Sequence, residues 1–134
     1  MKYLIIIALL CLSSTIVKAD TVCSDADSAD KTAESQRDAG ENSSALDTFN
    51  AAITNRLACD KELSGSDLYD SQIMLAGEYV AVGNLAKALG ETQNAETDYG
   101  YARTVIGWLN ADPLVQYQAE LLGEITDRLA VNDP

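Results

Sequence analysis

Apolar residues recur at steps of three and four along most of this chain, whereas the alternation typical of β-strands is nearly absent. One run shows the helical spacing clearly: Leu46, Phe49, Ile53 and Leu57. Such spacing places the apolar side chains on one face of a helix. The pattern predicts an all-α fold of five helices, at about residues 24–39, 44–60, 67–89, 91–110 and 113–131.

Residues typical of helix ends separate the five predicted helices. Ser24, Ser66 and Asp112 are candidate N-caps, and Pro113 is suited to a first helical position. Gly40 is suited to end the first helix. The third helix is apolar on more than one side, so we expect it to lie at the centre of the domain.

Residues 1–19 have the pattern of a cleavable secretory signal peptide. Lys2 precedes an apolar run over residues 4–12, and Val17 and Ala19 stand at the two positions that a signal peptidase reads. The run is too short to span a bilayer. We therefore expect cleavage after Ala19, export to the periplasm or the medium, and a single domain over residues 20–134 that does not insert into the membrane.

The chain is strongly acidic. Its net charge is −12, and because residues 1–19 contain two lysines and no acidic residue, the charge without them is −14. A charge of this sign disfavours nucleic acid and anionic membranes as partners and favours a cationic partner. The alternative is that the charge only keeps an exported domain soluble.

Two cysteines, Cys23 and Cys59, remain after residues 1–19. In an oxidising compartment such a pair predicts one disulfide. The midpoint of the pair is Glu41, which follows Gly40 in a predicted turn. The disulfide would therefore join the start of the first helix to the end of the second in an antiparallel hairpin. Closing this ring stabilises the fold by about 3.5–4 kcal/mol.

Two segments share a spacing of alanine, an aromatic residue and alanine: Ala45, Phe49 and Ala52 in the first, and Ala95, Tyr99 and Ala102 in the second. This spacing resembles the tetratricopeptide repeat (TPR), in which small residues let two helices touch and the aromatic ring fills the gap beside them. The resemblance implies two antiparallel TPR-like hairpins and a C-terminal capping helix. An unrelated five-helix bundle is the alternative.

Upstream of the second segment, Leu75, Ala76 and Tyr79 resemble the first helix of a repeat. In the first segment, Ala33 stands at the small-residue position of that helix. Relative to the first segment, the second segment in this alignment has about seven extra residues between Tyr79 and Ala95. We therefore expect the second hairpin to be longer than the first by about two helical turns.

The sequence contains few of the groups on which catalysis depends. It has no histidine, the commonest general base and a frequent metal ligand. Cys23 and Cys59 are expected in the disulfide, and no glycine-rich phosphate loop follows a strand. We therefore expect a protein that is not an enzyme and that holds no cofactor or metal.

One edge of the first predicted helix is acidic: Asp27, Asp30, Glu34 and Asp38. Steps of three and four put these side chains on one strip. The TPR resemblance implies that the strip lies near the concave, peptide-binding surface, so it is the predicted partner-binding site. The alternative is a solvated outer face of an end helix.

Four aromatic residues are candidates for a contact patch: Tyr69, Tyr101, Trp108 and Tyr117. Trp108 lies between the apolar residues Ile106 and Leu109, so we expect it in the core instead. The first helix brings only alanines to the core, which leaves an apolar flank that a homodimer would cover.

These features together favour an exported helical-repeat protein that binds a protein or peptide partner, as an adaptor or scaffold, without catalysis. The alternative function is a periplasmic immunity or inhibitor protein that neutralises a basic toxin or enzyme, because opposite charge speeds the encounter of two proteins.

Overall fold

The computed structural model of the protein describes residues 21–111 and 119–132. These residues form five α-helices and no β-strand: α1 over 21–38, α2 over Asn42–Asp60, α3 over Gly65–Ala88, α4 over Thr92–Asn110 and α5 over Ala119–Asn132. The all-α prediction is confirmed. Residues 1–19, the predicted helix start at Asp112 and Pro113, and Tyr117 lie outside the described residues.

The helices pair as two hairpins, α1 with α2 and α3 with α4, and α5 packs against α3 and α4. Helix α3 also contacts α2, which confirms its predicted central position. Ile73, Leu75 and Val82 on this helix are almost completely buried. A helix that is apolar on several sides is stable in water only when neighbouring helices cover those sides. Helix α3 has three such neighbours, α2, α4 and α5.

The turns inside the two hairpins have the same geometry. Gly40 and Gly90 adopt positive φ angles of 80° and 81°. The next amide in each case donates back across the helix end, from Glu41 to the Gln36 carbonyl at 2.9 Å and from Glu91 to the Ala86 carbonyl at 2.8 Å. These are Schellman caps, which satisfy carbonyls at a helix C-terminus and favour glycine at the left-handed position.

Two predicted helix starts are wrong. The chain is already helical at residue 21, so Ser24 lies inside α1 and does not cap it. Helix α3 begins at Gly65, after Ser64 in an extended conformation, and Ser66 is therefore in the first turn. Gly65 has a φ of 60°, a left-handed value that glycine adopts without strain.

The predicted insertion of about seven residues between Tyr79 and Ala95 is wrong. A Cβ on Gly83 would lie 2.5 Å from Cε1 of Tyr99, so Gly83 is the small residue that lets α3 and α4 approach at this ring. It precedes Ala95 by twelve residues, as Ala33 precedes Ala45 in the first hairpin. The two hairpins therefore correspond at an offset of fifty residues, with no insertion.

Several predicted core positions differ in the structure. Ala26 and Ala33 are buried as expected, but Leu57 is exposed because the buried face of α2 turns toward Arg56 and Cys59. Trp108 is 58% exposed, since Val105, Ile106 and Leu109 form the buried face of α4 and leave Trp108 on its opposite side. The prediction of a core tryptophan is therefore wrong.

The other candidate aromatic residues are also distributed differently from the proposed patch. Tyr69 is buried, whereas Tyr101 is half exposed. The Tyr101 ring lies 5.3 Å from the Tyr79 ring between centroids. This contact attaches the α4 surface to α3, and the burial of Tyr69 removes it from any exposed aromatic patch.

Helix α5 closes the second hairpin. Ile125 and Leu129 are buried in the core, and Lys87 Nζ donates a hydrogen bond of 2.8 Å to the carbonyl of Asn132. A lysine at this position satisfies a free carbonyl at the C-terminal end of the helix. Among the described helices, none is long and apolar enough to cross a bilayer.

Candidate functional site

The predicted disulfide is present and fixes α1 to α2. Cys23 and Cys59 are joined with 4.9 Å between their Cα atoms. The bond connects the first turns of α1 to the last turn of α2, as the symmetry about Glu41 predicts. Because the core residues of α1 are small, this covalent link holds one wall of the site described next.

Two adjoining cavities lie between α1 and α3, and we call them together the α1–α3 groove. Their volumes are about 480 and 590 Å³, in the range of ligand-binding sites. Asp30, Glu34 and Met74 line both cavities. The smaller cavity extends to Ile125 and Arg128 on α5. Helix α1, helix α3 and helix α5 thus form the walls of the groove.

An ionic cluster that is buried except at Asp27 forms the floor of the groove. Arg56 Nη2 on α2 lies 2.8 Å from Asp27 Oδ1 and 2.9 Å from Asp30 Oδ2, both on α1. Arg56 Nε lies 2.9 Å from Glu78 Oε1 on α3. We call these four residues the Arg56 cluster. One guanidinium thus meets three carboxyl groups from two helices.

Two buried oxygens of the cluster, Asp30 Oδ1 and Glu78 Oε2, have no hydrogen-bond donor among the described residues other than a proton held by Glu78 itself. The side chains of Asp30 and Glu78 are only 9% and 3% exposed. Both residues nevertheless line the smaller cavity. A buried acceptor without a donor costs about 1–3 kcal/mol, so such atoms are rare in folded proteins.

The protonation of the cluster follows from its burial. Burial raises the pKa of Glu78 to about 9, the Asp30 carboxyl adds to the rise, and Arg56 opposes it. Burial alone would lower the pKa of Arg56, but its interactions with Glu78 and Asp27 together outweigh burial and raise that pKa. At neutral pH, Glu78 therefore holds a proton that it shares with Asp30, and Arg56 stays charged.

The correspondence between the hairpins shows that the fold does not require these charges. Asp30 and Arg56 occupy the positions at which the second hairpin has Val80 and Ile106, fifty residues later. Both of those apolar residues are buried. Since a buried ion pair is often no more stabilising than apolar residues of similar size, the Asp30–Arg56 pair points to a role other than closing the hairpin.

The predicted acidic strip is divided by the structure. Asp27 and Asp30 belong to the Arg56 cluster, and Glu34 is exposed on the wall of both cavities. Asp38 is exposed outside the cavity walls, 3.6 Å from Arg37 Nε. The groove therefore brings three of the four residues together.

Arg56 and Glu78 were missing from the predicted site. Each stands at a position where the helical spacing calls for an apolar residue, Arg56 three residues after Ile53 and Glu78 three residues after Leu75. A charged residue at a predicted core position is the signal that could have identified them.

The chemistry of the groove suits the binding of a positively charged group. Carboxyl oxygens accept hydrogen bonds, and the larger cavity is lined by four further acidic side chains besides Asp30: Asp27, Glu34, Asp67 and Asp70. The described residues contain no cluster of side chains suited to hold a metal ion. No protein-family model, curated protein or solved structure matches the chain.

Proposed function

We propose that this is an exported, TPR-like protein that binds a protein or peptide partner in the α1–α3 groove and does not catalyse a reaction. The observation that carries the proposal is the Arg56 cluster. It places Asp30 and Arg56, which stand where the second hairpin has buried apolar residues, beside the groove. Buried polar groups that a fold does not require are typical of binding sites.

The shape of the groove favours an extended partner. It runs along α1 and α3 and continues to α5, and both acidic and apolar side chains line it. Met74, which lines both cavities, is 43% exposed. An unbranched, adaptable side chain of this kind is common at surfaces that bind peptides.

Export is supported by the disulfide. Disulfides such as Cys23–Cys59 persist in oxidising compartments and are rare in the cytosol. The pattern of residues 1–19 agrees with this location.

The experiment is affinity capture with the protein expressed from its full sequence and purified under oxidising conditions. Gly77 lies in the groove wall, and a Cβ there would meet only Ile125 Cδ1, at 3.7 Å. Gly77→Phe should therefore fill the groove without displacing the core. Gly107→Phe, at an exposed position of α4 where a Cβ meets nothing, is the matched control.

A partner captured by the wild type and by Gly107→Phe, but lost with Gly77→Phe, is the expected result. A basic enzyme as that partner would favour the inhibitor function over the adaptor function. Equal capture by all three proteins, or no stoichiometric partner from the exported proteins of the source cell, would contradict the proposal.

A further inference from the structure

The side of α4 that faces away from the core carries aromatic and small residues but no charge. We call it the α4 outer face and define it by seven exposed or half-exposed residues at steps of three and four: Thr97, Gly100, Tyr101, Thr104, Gly107, Trp108 and Ala111. The chain without residues 1–19 nevertheless has a net charge of −14. Depletion of charge together with aromatic residues is typical of surfaces that contact another protein.

The first hairpin shows that the fold does not require this composition. The corresponding residues of α2 and its end, fifty positions earlier, are also exposed: Asp47, Asn50, Ala51, Thr54, Leu57, Ala58 and Lys61. Where this surface has two charged residues, α4 has Thr97 and Ala111. Where it has two alanines, α4 has Tyr101 and Trp108. Since the two helices occupy equivalent places in their hairpins, the α4 outer face points to a role outside the packing of the chain.

The glycines and threonines make the α4 outer face open and apolar. A Cβ at Gly100 or Gly107 would meet no described atom within 4 Å, so neither glycine makes room for a neighbouring helix. Glycine inside a helix is destabilising relative to alanine, so two of them at the surface call for a reason outside the chain. The hydroxyls of Thr97 and Thr104 donate to the carbonyls of Gln93 and Gly100 on their own helix, each at 3.0 Å. Their methyl groups remain for apolar contact.

The two aromatic side chains lie on one edge of the face. Tyr101 and Trp108 are 52% and 58% exposed. At about 100° of rotation per residue, both fall on one edge, Gly100 and Gly107 fall on the other, and the remaining members lie between them. The Tyr101 ring already packs against the Tyr79 ring, so its position is fixed before any contact forms. Such preorganisation lowers the entropic cost of association.

We propose that two copies of this chain pair through their α4 outer faces, with the two helices parallel. Tyr101 and Trp108 of each copy then pack over Gly100 and Gly107 of the other.

The parallel orientation follows from the sizes of the residues on the two edges. A two-fold axis along the helices brings the aromatic edge of one copy against the glycine edge of the other, so each ring fills the space that a glycine leaves. The same contact occurs twice, because a two-fold interface uses one surface on both copies. An antiparallel pair would bring rings against rings and glycines against glycines, which leaves the glycine edges unfilled.

The charges favour a second copy over a basic protein as the occupant. A basic protein is attracted to acidic groups, and none of the seven residues of this face is acidic. Two copies repel each other through their net charge, and an uncharged surface lets them meet without bringing acidic groups together. This repulsion is screened by salt, so the dimer should become stronger as the salt concentration rises.

The size of the face sets the expected strength of the pairing. Residues 97–111 extend over about 21 Å of helix. A stable interface buries about 800 Å² on each partner, which is more than one face of such a helix provides. We therefore expect a reversible dimer with a dissociation constant in the micromolar range.

The test uses Trp108, the only tryptophan of the chain, as the reporter. The protein is expressed from its full sequence and purified under oxidising conditions. Its tryptophan emission and quenching by acrylamide are measured from low micromolar to millimolar concentration, at low and high salt, with sedimentation equilibrium on the same samples. Dimer formation should increase with concentration and with salt, and in parallel the emission should shift to the blue and quenching should decrease.

Two variants test the contact between rings and glycines. Tyr101→Ala/Trp108→Ala copies Ala51 and Ala58 of the first hairpin, and it should stay folded and weaken the dimer at least about tenfold in sedimentation. Gly107→Phe fills the space that receives Trp108 and should have a similar effect. Leu57→Phe, at the corresponding position of α2, is the matched control and should dimerise like the wild type. Circular dichroism checks that every variant keeps its helices.

A cross-link tests the orientation. In a parallel pair, the two copies of residue 97 lie at the same level, whereas in an antiparallel pair centred on Thr104 they are about 21 Å apart along the helices. A short bismaleimide should therefore link two copies of Thr97→Cys. Asp47→Cys, at the corresponding position of α2, should not be linked.

A protein that stays monomeric at every concentration would overturn the proposal. So would a dimer that the two α4 variants leave unchanged, a dimer that Thr97→Cys does not link, or a monomer in which Trp108 is already shielded from acrylamide by another part of the chain. No residue of α4 lines the described part of either cavity of the α1–α3 groove. Gly107→Phe should therefore lose the dimer and keep the groove partner, whereas Gly77→Phe should do the opposite, so failure of this proposal is distinguishable from failure of the proposed function.

Discussion

Arg56 Nε lies 2.9 Å from Glu78 Oε1, and this contact crosses from the first hairpin to the second. Both side chains are buried. The same guanidinium forms ion pairs with Asp27 and Asp30 on α1. Arg56, on α2, therefore connects α1, α2 and α3 at the floor of the groove. The geometry of the candidate site and the packing of the hairpins therefore depend on the same atoms.

Removal of Arg56 alone should strongly destabilise the protein. Arg56→Ile leaves Asp30 without its counter-ion, and breaking a buried pair in this way costs about 3–5 kcal/mol. The double variant Asp30→Val/Arg56→Ile copies the Val80 and Ile106 pair of the second hairpin and should recover most of that loss. Urea unfolding of the three proteins measures both effects, and a double variant as unstable as the single one would refute the correspondence.

Stability should decrease as the pH rises from about 5 to 9. Glu78 has an ordinary pKa of 4.5 in the unfolded chain and a pKa of about 9 in the folded protein, so the folded state binds more protons in this interval. The free energy of unfolding therefore falls as the pH rises through this interval, because the unfolded chain has already released the proton that Glu78 keeps in the folded protein. Below pH 4.5 this contribution is fully present.

The measurement is the urea midpoint at a series of pH values for the wild type and for Glu78→Gln. The variant keeps a neutral side chain of similar size and should show a much flatter profile. A wild-type profile that is flat, or that rises through this interval, would show that Glu78 is ionised in the folded protein.

Loss of the disulfide should release α1 before the other helices. Cys23→Ser/Cys59→Ser should lower the free energy of unfolding by about 3.5–4 kcal/mol, because the unfolded chain regains the freedom of an open loop. Amide exchange should increase most over residues 21–38, since α1 contributes only small side chains to the core. Uniform exchange across all helices would contradict this account of the disulfide.

Two glycines of α3 should respond in opposite directions to alanine. Gly83→Ala places a Cβ 2.5 Å from the buried Tyr99 ring, and we expect a loss of about 1–3 kcal/mol from overpacking. Gly77→Ala meets only an ordinary contact and should gain up to about 1 kcal/mol from helix propensity. Thermal unfolding of the pair checks the prediction, and similar shifts in Tm would contradict it.

The helices and their pairing could be predicted from the sequence because they depend on local patterns. Three such patterns are the apolar spacing, the glycines at 40 and 90, and the equal distance of the two cysteines from Glu41. Each can be recognised within one helix or one hairpin. The position of Gly83 opposite Tyr99 was missed because Ala76, seven residues earlier on the same helix, is also a small residue and was aligned with the repeat instead.

The floor of the groove could not be predicted in the same way. The helical spacing puts Arg56 and Glu78 on the buried faces of α2 and α3, but it does not show that each meets a charged partner from another helix there. Trp108 shows the converse error, since a large aromatic residue next to core positions lies on the exposed face of α4.

Photo-crosslinking in the source cell tests the central claim, that a partner occupies the α1–α3 groove, most directly. Benzoylphenylalanine replaces Met74, which borders both cavities, or Leu89, which is similarly exposed at the end of α3 and outside the cavity walls. We predict a single protein adduct at position 74 and none at position 89, with a basic residue close to the site of attachment in the partner. Adducts at both positions, or at position 89 alone, would contradict the account.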